Sequence, residues 1–308
     1  MNSESPASPV PAGQVDTANL SDAPSKITRK IRSDKNGNLL FAAYKDVIMY
    51  DGRSFAKIPQ PAGFESVDAF DALQDKNGNI WIGSTHFGVF RYDGKTFRHF
   101  TTDDGLAHDR TMDLMEDSTG KIWIATMGGV SRYDGNSFRN FTASDGLPHN
   151  DVNAIMEDSN GKIWFGTREA ACFYDPVSAT FSTIADTTAE PFVNVRSIAE
   201  DGNGVIYLAG EKGILRHTDH SSVLVSDIKT NGIHVDRANN IWLTSGKDLL
   251  YFENETLQYG NPSIKIFTAK GMLFGVATDT EGNVWVGTLN GAFCYTGKSV
   301  IVYQDKDL

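Results

Sequence analysis

A unit of 35 to 43 residues recurs seven times along this chain, and no other feature restricts the fold as strongly. Each unit contains an alternating segment, a turn of the form D-x-x-G, a short apolar run such as IWIGT, and segments such as GVFRYDG and TFRHFT. Self-similarity at such a period is typical of solenoids and propellers. The aspartates that mark the seven turns are Asp34, Asp75, Asp117, Asp158, Asp201, Asp236 and Asp279.

Three further positions keep a constant distance from the turn aspartate. Three residues after it stands a residue that tolerates a positive φ, namely Gly37, Gly78, Gly120, Gly161, Gly204, Asn239 and Gly282. Six residues after it stand large residues that include all five tryptophans, namely Leu40, Trp81, Trp123, Trp164, Tyr207, Trp242 and Trp285. Eight residues after it stand small residues, namely Ala42, Gly83, Ala125, Gly166, Ala209, Thr244 and Gly287. Such layers suit a sheet whose inner end crowds towards an axis.

The repeats predict an all-β fold, a seven-bladed β-propeller with four antiparallel strands in each blade. No segment of helical period with caps interrupts the strands. One blade cannot bury both faces of its sheet, so the seven must close into a ring. Blade one starts with its own inner strand near Ile27 and blade seven ends with its own outer strand at 299–304. We therefore expect blades one and seven to pack together without exchanging a strand.

The chain divides into a flexible N-terminal tether, residues 1–26, and the propeller, residues 27–308. The first 26 residues hold four of the ten prolines and little that could be buried. A second possibility is that a piece of this segment adds to blade seven.

Composition argues against several kinds of partner and linkage. The net charge is −11, whereas nucleic-acid binding needs clustered Lys and Arg, so no nucleic acid is expected. No stretch approaches the length of a membrane span, which predicts no membrane insertion. No apolar core follows the N-terminus, so no secretory signal is visible in the sequence. Cys172 and Cys294 fall in units four and seven, which predicts neither a disulfide nor a zinc site.

Two units carry a near-complete family pattern. Residues 104–135 read DGLAHDRTMDLMEDSTGKIWIATMGGVSRYDG, and residues 145–167 read DGLPHNDVNAIMEDSNGKIWFGT. Units two and seven match well, and the other three match only in the turn and aromatic positions. The chain resembles the two-component regulator propeller family, the sensor propellers of hybrid histidine kinases.

The resemblance implies an extracytoplasmic ligand-sensing surface, often for oligosaccharides, and hence a periplasmic or extracellular location. The sequence departs from the signalling members of the family. It holds one set of seven blades where the long sensors carry two, and it shows no following membrane span, kinase motif or receiver motif. We therefore expect any signalling to require a partner.

One group of candidate binding residues lies five positions before each turn aspartate, at the start of the inner strand. These positions are expected to surround the mouth of the central channel. Arginine supplies paired donors and aromatic rings supply stacking faces for an anionic or hydroxyl-rich ligand. The alternative is a channel that binds only water. The residues are Arg29, Phe70, Met112, Asn153, Arg196, Asn231 and Phe274, and all but Met112 are predicted to bind ligand.

A second group lies in the loops between strands on one face of the ring. These loops vary while the D-x-x-G turns on the other face stay uniform, and propellers usually bind on the variable face. The candidates there are His86, Arg168, Glu169, Lys212, Lys247, Asn290, His108 and His149. His108 and His149 occupy equivalent positions in neighbouring units, which favours a role in the turn over a role in binding. His217 replaces the tyrosine of the repeat and is expected to pack.

Neither a metal nor a cofactor is predicted. The turns at 34–38 and 75–79 superficially resemble calcium loops but are too short, and an aspartate that accepts N–H bonds within its own turn is the simpler interpretation. The sequence lacks G-x-S-x-G, H-E-x-x-H and a glycine-rich phosphate loop. The Glu-Asp pairs recur at the turns of units three to five, which indicates a structural role.

The leading hypothesis is a sensor-like binding module for a carbohydrate, another polar ligand or a protein, at the channel mouth. A metal-dependent lyase or hydrolase acting at the same face is the first alternative, because seven-bladed lyases of cyclic peptide antibiotics have similar strands. Those enzymes use a His/Glu/His cluster, and the Glu-x-His that would supply it is missing from this sequence. A structural platform for protein interaction is the second alternative.

Overall fold

The computed structural model describes residues 22–64, 67–185, 190–219, 221–253 and 264–303, together with the backbone of residues 14–18. Seven four-stranded antiparallel units stand side by side as the blades of a propeller. The innermost strand of each blade contacts the innermost strand of the next, and the strand of blade seven contacts that of blade one. The prediction of a seven-bladed all-β propeller is confirmed.

Within each blade the strands are called a to d, from the channel outwards, and follow the chain order. The a-strands of blades one to seven are Thr28–Ser33, Ala69–Gln74, Thr111–Glu116, Val152–Glu157, Val195–Glu200, Gly232–Val235 and Leu273–Thr278. The b-strands are Leu39–Ala43, Ile80–Ser84, Ile122–Thr126, Ile163–Thr167, Ile206–Gly210, Ile241–Ser245 and Val284–Thr288.

The two outer strands of each blade complete the sheet. The c-strands are Asp46–Tyr50, Val89–Tyr92, Gly129–Tyr133, Ala171–Asp175, Gly213–Thr218, Asp248–Phe252 and Gly291–Tyr295. The d-strands are Phe55–Lys57, Phe97–Phe100, Phe138–Phe141, Thr180–Ile184, Ser221–Ser226, Ile264–Thr268 and Ser299–Tyr303. Short 3₁₀ turns follow two d-strands, at Thr102–Asp104 and Ala143–Asp145.

The turn aspartate organises the hairpin between strands a and b. In blade four, Oδ1 of Asp158 accepts the backbone N–H groups of Asn160 and Lys162, each at 2.9 Å. Oδ2 accepts the indole N–H of Trp164 at 2.7 Å. Both oxygens are therefore occupied by donors from the same blade, which confirms that these aspartates hold their own turns. The residue three positions later has a positive φ in all seven blades, including Asn239 at 65°.

The Glu-Asp pairs are structural, as the sequence predicts. Glu157 of blade four accepts the backbone N–H of Ser118 from blade three at 2.6 Å, and Glu200 accepts that of Ser159 at 2.8 Å. Each glutamate thus ties the turn of one blade to the a-strand of the next. The turn between strands c and d of blade one is not of type I′, the type that an Asp-Gly pair usually indicates in a hairpin. A type I′ turn needs two positive φ values, but at Asp51-Gly52 only the glycine has one.

Blades one and seven each keep their own four strands, so closure without strand exchange is confirmed. Glycines permit the close approach of the two blades. A Cβ on Gly287 of blade seven would lie 2.3 Å from the carbonyl oxygen of Thr28 in blade one. Within the N-terminal segment, Gln14–Ala18 pairs in parallel with Ser299–Tyr303 as a fifth strand of blade seven, which is the second of the two predicted possibilities. Residues 1–13 and 19–21 of the predicted tether lie outside the described residues.

Candidate functional site

A central cavity of about 590 Å³ lies along the ring axis and is walled by the a-strands. The seven residues that the sequence places at the channel mouth all line it, although they are spread over more than two hundred positions of the chain. Their side chains share one end of the cavity, on the face that carries the d–a and b–c loops. The residues are Arg29, Phe70, Met112, Asn153, Arg196, Asn231 and Phe274.

A β-bulge explains why these positions face the cavity. In blades one to five, the pairing of strands a and b skips one residue, and that residue is the one five positions before the turn aspartate. In blade seven the skipped pair includes Phe274. A bulge leaves one residue unpaired and re-aims its side chain. The fold therefore repeats, in blades one to five and in blade seven, a bulge that re-aims side chains towards the axis, whereas Asn231 of blade six lies just before its a-strand.

The polar part of the cavity mouth comes from blades four to six. Arg196 donates through Nη1 to Oδ1 of Asn231 at 2.9 Å and through Nη2 to Oε2 of Glu211 at 2.9 Å. The amide of Asn231 donates in turn to the carbonyl oxygen of Leu273 at 2.9 Å. Asn194, which has a left-handed φ of 52°, also lines this part of the cavity. These contacts position a guanidinium and the amide of Asn231 at one side of the opening.

The apolar part of the cavity mouth comes from blades seven, two and three. Phe70, Met112, Met272 and Phe274 line it. The guanidinium of Arg29 lies 5.6 Å from the ring centroid of Phe70 and is paired with the carboxylate of Asp68 at 2.6 Å. The Arg29 charge is therefore neutralised by its own neighbour.

Deeper in the cavity, a charged network that was not predicted from the sequence joins blades one, two and three. Arg32 donates to both carboxylate oxygens of Asp71, at 2.8 to 3.1 Å, and also to Asp113. Lys30 lies 2.5 Å from the carboxylate of Asp113. Asp71 and Asp113 are buried, with 0% and 4% of their side chains exposed.

The two carboxylates also bind backbone groups of the following blade. Oδ2 of Asp71 accepts the N–H of Leu114, and Oδ2 of Asp113 accepts the N–H of Ile155, each at 2.8 Å. Burial raises the pKa of Asp113, whereas the pKa of Asp71 lies below its usual range because Arg32 and Lys30 outweigh the effect of burial. Two cations and two carboxylates balance each other, so the network joins three blades without a net charge.

A signal for this network is present in the sequence. Four positions before the turn aspartate the seven units read Lys, Asp, Asp, Ala, Ser, Gly and Gly. The small residues of blades four to seven fit a crowded axis, whereas the charged residues of blades one to three break the pattern at Lys30, Asp71 and Asp113. A run of opposite charges at one register position of adjacent blades predicts ion pairs across the channel.

None of the eight loop residues predicted from the sequence lines the central cavity. Among them, Arg168 lies 3.5 Å from Asp151, His149 lies 3.9 Å from Glu169, and Lys212 donates to a backbone carbonyl at 3.0 Å. His86, Lys247 and Asn290 are exposed in their b–c loops. A role of these loop residues in binding stays a prediction.

The histidines in the equivalent d–a loops hold their turns. Nδ1 of His108 accepts the N–H of Arg110, and Nδ1 of His149 accepts the N–H of Asp151, each at 2.9 Å. His217 packs its ring 5.1 Å from that of Trp164, across the contact between blades four and five. The predicted turn and packing roles of these three residues are confirmed.

No group of three or more His, Cys, Asp and Glu side chains is arranged to hold a metal ion in the described ranges. Residues 22–64, 67–185, 190–219, 221–253 and 264–303 contain no helix with the length and hydrophobicity that a membrane crossing requires.

Comparisons with known proteins agree with the geometry. The model of the two-component regulator propeller family matches residues 63–86 and 146–169, which confirms the resemblance inferred from the repeats. A comparison with curated proteins found no match.

Solved structures share the fold at low sequence identity. The extracellular domain of BT4673 from B. thetaiotaomicron, described as a one-component system, aligns with a TM-score of 0.73 and 17% identity over 91% of this chain and 39% of its own. The extracellular domain of BT3049 from B. thetaiotaomicron, described as a hybrid two-component system, aligns with a TM-score of 0.72 and 18% identity. The alignment covers 88% of this chain and 40% of that domain. A catalytically inactive virginiamycin B lyase from Staphylococcus aureus with quinupristin aligns with a TM-score of 0.70 and 14% identity. The alignment covers 89% of this chain and 96% of the lyase. The chain thus spans about two fifths of the length of the two extracellular domains.

Proposed function

We propose that this chain, which carries repeats of the two-component regulator propeller type, is a sensor-like binding module whose ligand enters the central cavity from the loop face. The observation that carries the proposal is the ring of bulge residues. A β-bulge in an inner strand is a specific device that re-aims a side chain, and this chain repeats it so that the side chains converge on one opening. The re-aimed side chains line the central cavity, where a ligand can reach them.

The size and lining of the cavity suit a small ligand. Binding pockets for small molecules measure roughly 300–1,000 Å³ and combine an apolar wall with a few polar groups that fix orientation. The central cavity, at about 590 Å³, lies within that range. A carbohydrate, another polar molecule or a short segment of a protein would fit a cavity of this size. A folded partner would instead rest on the surrounding loops.

Location belongs to the same proposal. The propellers of BT4673 and BT3049 are parts of extracellular domains. We place this chain outside the cytoplasm as well, in the periplasm or at the cell exterior, where an extracellular small molecule would reach the cavity.

A thermal-shift screen tests the proposal. The full chain is heated with a panel of neutral and acidic oligosaccharides and small organic acids, in parallel with an Asn153→Trp variant whose added ring fills the cavity mouth. A matched control, Asn136→Trp, places the same ring on an exposed c–d turn at the opposite face. We expect at least one compound to raise the Tm of the wild type and of Asn136→Trp but not of Asn153→Trp. Equal shifts in all three proteins would refute binding in the cavity.

The screen also separates binding from catalysis. Stabilisation by Mg²⁺ or Mn²⁺ that disappears when His86 or His149 is replaced would favour the metal-dependent lyase or hydrolase. Stabilisation by organic compounds without divalent metals would support the binding module.

A further inference from the structure

The mouth of the central cavity has two chemically different sides. Blades four to six supply the polar side, which consists of Asn153, Asn194, Arg196 and Asn231. Blades two, three and seven supply the apolar side, which consists of Phe70, Met112, Met272 and Phe274. The two sides face each other across the ring axis because they come from opposite arcs of the seven blades. A ligand that spans the opening therefore meets donors at one end and apolar side chains at the other.

The polar side carries an excess positive charge. Arg196 and Lys229 both pair with the carboxylate of Glu211, at 2.9 and 2.5 Å, so the three side chains together carry one net positive charge. These two cations hold the pKa of Glu211 below its usual range, and the carboxylate stays ionised at neutral pH. Within the described residues, the hydrogen bonds of Arg196 to Asn231 and Glu211 use two of the five N–H donors of its guanidinium. Arginine recognises planar oxyanions through paired donors.

The other charges of the cavity are balanced. Arg29 is paired with Asp68, and the deep network sets Lys30 and Arg32 against Asp71 and Asp113. An anionic group that enters the cavity thus meets the one excess positive charge at the cluster of Arg196, Glu211 and Lys229, in which Arg196 is the cation that lines the cavity. The guanidinium is accessible, since 40% of its side chain is exposed.

The apolar side and the walls below it are rich in flexible and branched hydrophobic residues. Met272 is 46% exposed and lines the cavity, so its side chain is available to a ligand at the opening. Below the mouth the wall is formed by aliphatic residues three positions before the turn aspartates, namely Ile31, Ile155, Ile198, Ile233 and Val276. Methionine adapts to ligands of different shape because its side chain is unbranched and polarisable. A fully hydroxylated ligand would leave much of this apolar surface without an apolar partner.

From these two sides we infer that the cavity takes an amphipathic organic anion, with a carboxylate at Arg196 and an apolar body against Met272, Phe274 and Phe70. This inference rests on the proposed function and specifies its ligand class. The expected ligand is then a molecule with one anionic end and one aromatic or aliphatic end, and not a neutral oligosaccharide.

The test uses a charged probe and its uncharged twin, 2-naphthylacetate and 2-naphthylacetamide. Binding of each to the full chain is measured by isothermal titration calorimetry. We expect the acid to bind about tenfold to a hundredfold more tightly than the amide, as a charge-assisted hydrogen bond in a partly buried site implies. Arg196→Gln should abolish the difference between acid and amide. Arg53→Gln, an exposed arginine on a c–d turn, should preserve it.

A second pair of variants tests the apolar side. Phe274→Ala should weaken acid and amide alike, whereas Phe87→Ala, an exposed phenylalanine outside the cavity, should change neither. Equal affinity of the wild type for acid and amide, or a preference that survives Arg196→Gln, would overturn the inference.

The result for neutral oligosaccharides separates this inference from the proposed function. Cavity binding of a neutral oligosaccharide, blocked by Asn153→Trp, with no binding of the acid, would leave the proposed function standing and refute the amphipathic anion. Absence of any ligand that Asn153→Trp blocks would refute both.

Discussion

The indole N–H of Trp164 donates a hydrogen bond of 2.7 Å to Oδ2 of Asp158, the turn residue six positions earlier. The other four tryptophans make the same bond to the turn aspartates of their own blades, at 2.7 to 2.9 Å. The ring of Trp164 also lies 5.1 Å from that of Phe173 in its own blade and 5.1 Å from that of His217 in the next. One residue thus links the turn, the blade and the contact between blades.

Replacement of Trp164 should therefore be costly. Trp164→Ala is expected to lower the free energy of unfolding by about 3–5 kcal/mol, because it opens a cavity between blades four and five. Trp164→Phe keeps most of the ring but leaves Asp158 without its indole donor, which should cost about 1–3 kcal/mol. Urea denaturation measures both. A loss below about 1 kcal/mol for Trp164→Ala would mean that the indole is not a blade contact.

Arg196 should behave in the opposite way. Its side chain is 40% exposed and its partner Glu211 is 37% exposed, so Arg196→Ala should change the free energy of unfolding by less than about 1 kcal/mol. The same variant should weaken ligand binding in calorimetry. If urea denaturation shows that Arg196→Ala lowers the free energy of unfolding as much as Trp164→Ala does, the assignment of Arg196 to the cavity mouth is wrong.

The charged network should be sensitive to the loss of one member. Asp113→Ala removes the partner of Lys30 and Arg32 and leaves the N–H of Ile155 without its acceptor. A broken buried ion pair costs about 3–5 kcal/mol, and we expect a loss of unfolding free energy in that range. Asp103→Ala, on an exposed d–a loop, is the matched control. Similar stability of the two variants would show that the network does not hold blades one to three together.

His234 predicts a pH dependence of stability. Burial in the channel wall lowers its pKa from the ordinary 6.5 to about 4, against a weaker opposing effect of Asp236. The unfolded chain therefore takes up the proton first as the pH falls. The free energy of unfolding should decrease between about pH 6.5 and pH 4, by up to about 2–3 kcal/mol from this group. The free energy of unfolding of His234→Gln, measured by urea titration, should decrease less than that of the wild type over the same pH range. Parallel curves for the two proteins would contradict the prediction.

Closure of the ring depends on close contact between blades seven and one. Gly287→Ala would place a Cβ 2.3 Å from the carbonyl oxygen of Thr28, and backbone cannot yield as a flexible side chain does. We expect a loss of about 1–3 kcal/mol. A Cβ on Gly271 would meet Leu289 at an ordinary 3.5 Å, so Gly271→Ala should be nearly neutral. Thermal unfolding compares the two, and equal Tm values would argue against glycine-mediated closure.

Much of the fold could be predicted because the same spacing of turn and core residues recurs in seven units of the sequence. A turn aspartate, a residue with positive φ and an aromatic residue at fixed spacing describe one hairpin, and Asn239 fits the pattern because Asn tolerates the left-handed region. The ring of channel-mouth residues was predictable for the same reason, since one register position has one environment in every blade. The bulge that re-aims Arg196 and its equivalents could not be predicted, because it changes the pairing without changing the spacing.

The rest depends on contacts between different blades. Nothing within the unit of Asp71 shows that its carboxylate binds Arg32 of blade one and the N–H of Leu114 in blade three. The fifth strand of blade seven, Gln14–Ala18, could be named only as one possibility because it lies outside the repeat. The candidate binding residues in the loops show that sequence variability alone does not locate the cavity. Loop variability pointed to residues such as Lys212 and Asn290, but the cavity is walled by the inner strands.

A crystal structure of the full chain with the compound that stabilises it most tests the central claim most directly. We predict density for that compound in the central cavity, in contact with Arg196 on one side and Phe274 on the other. Density confined to the outer loops or to the turn face, with the central cavity occupied only by water, would contradict the account.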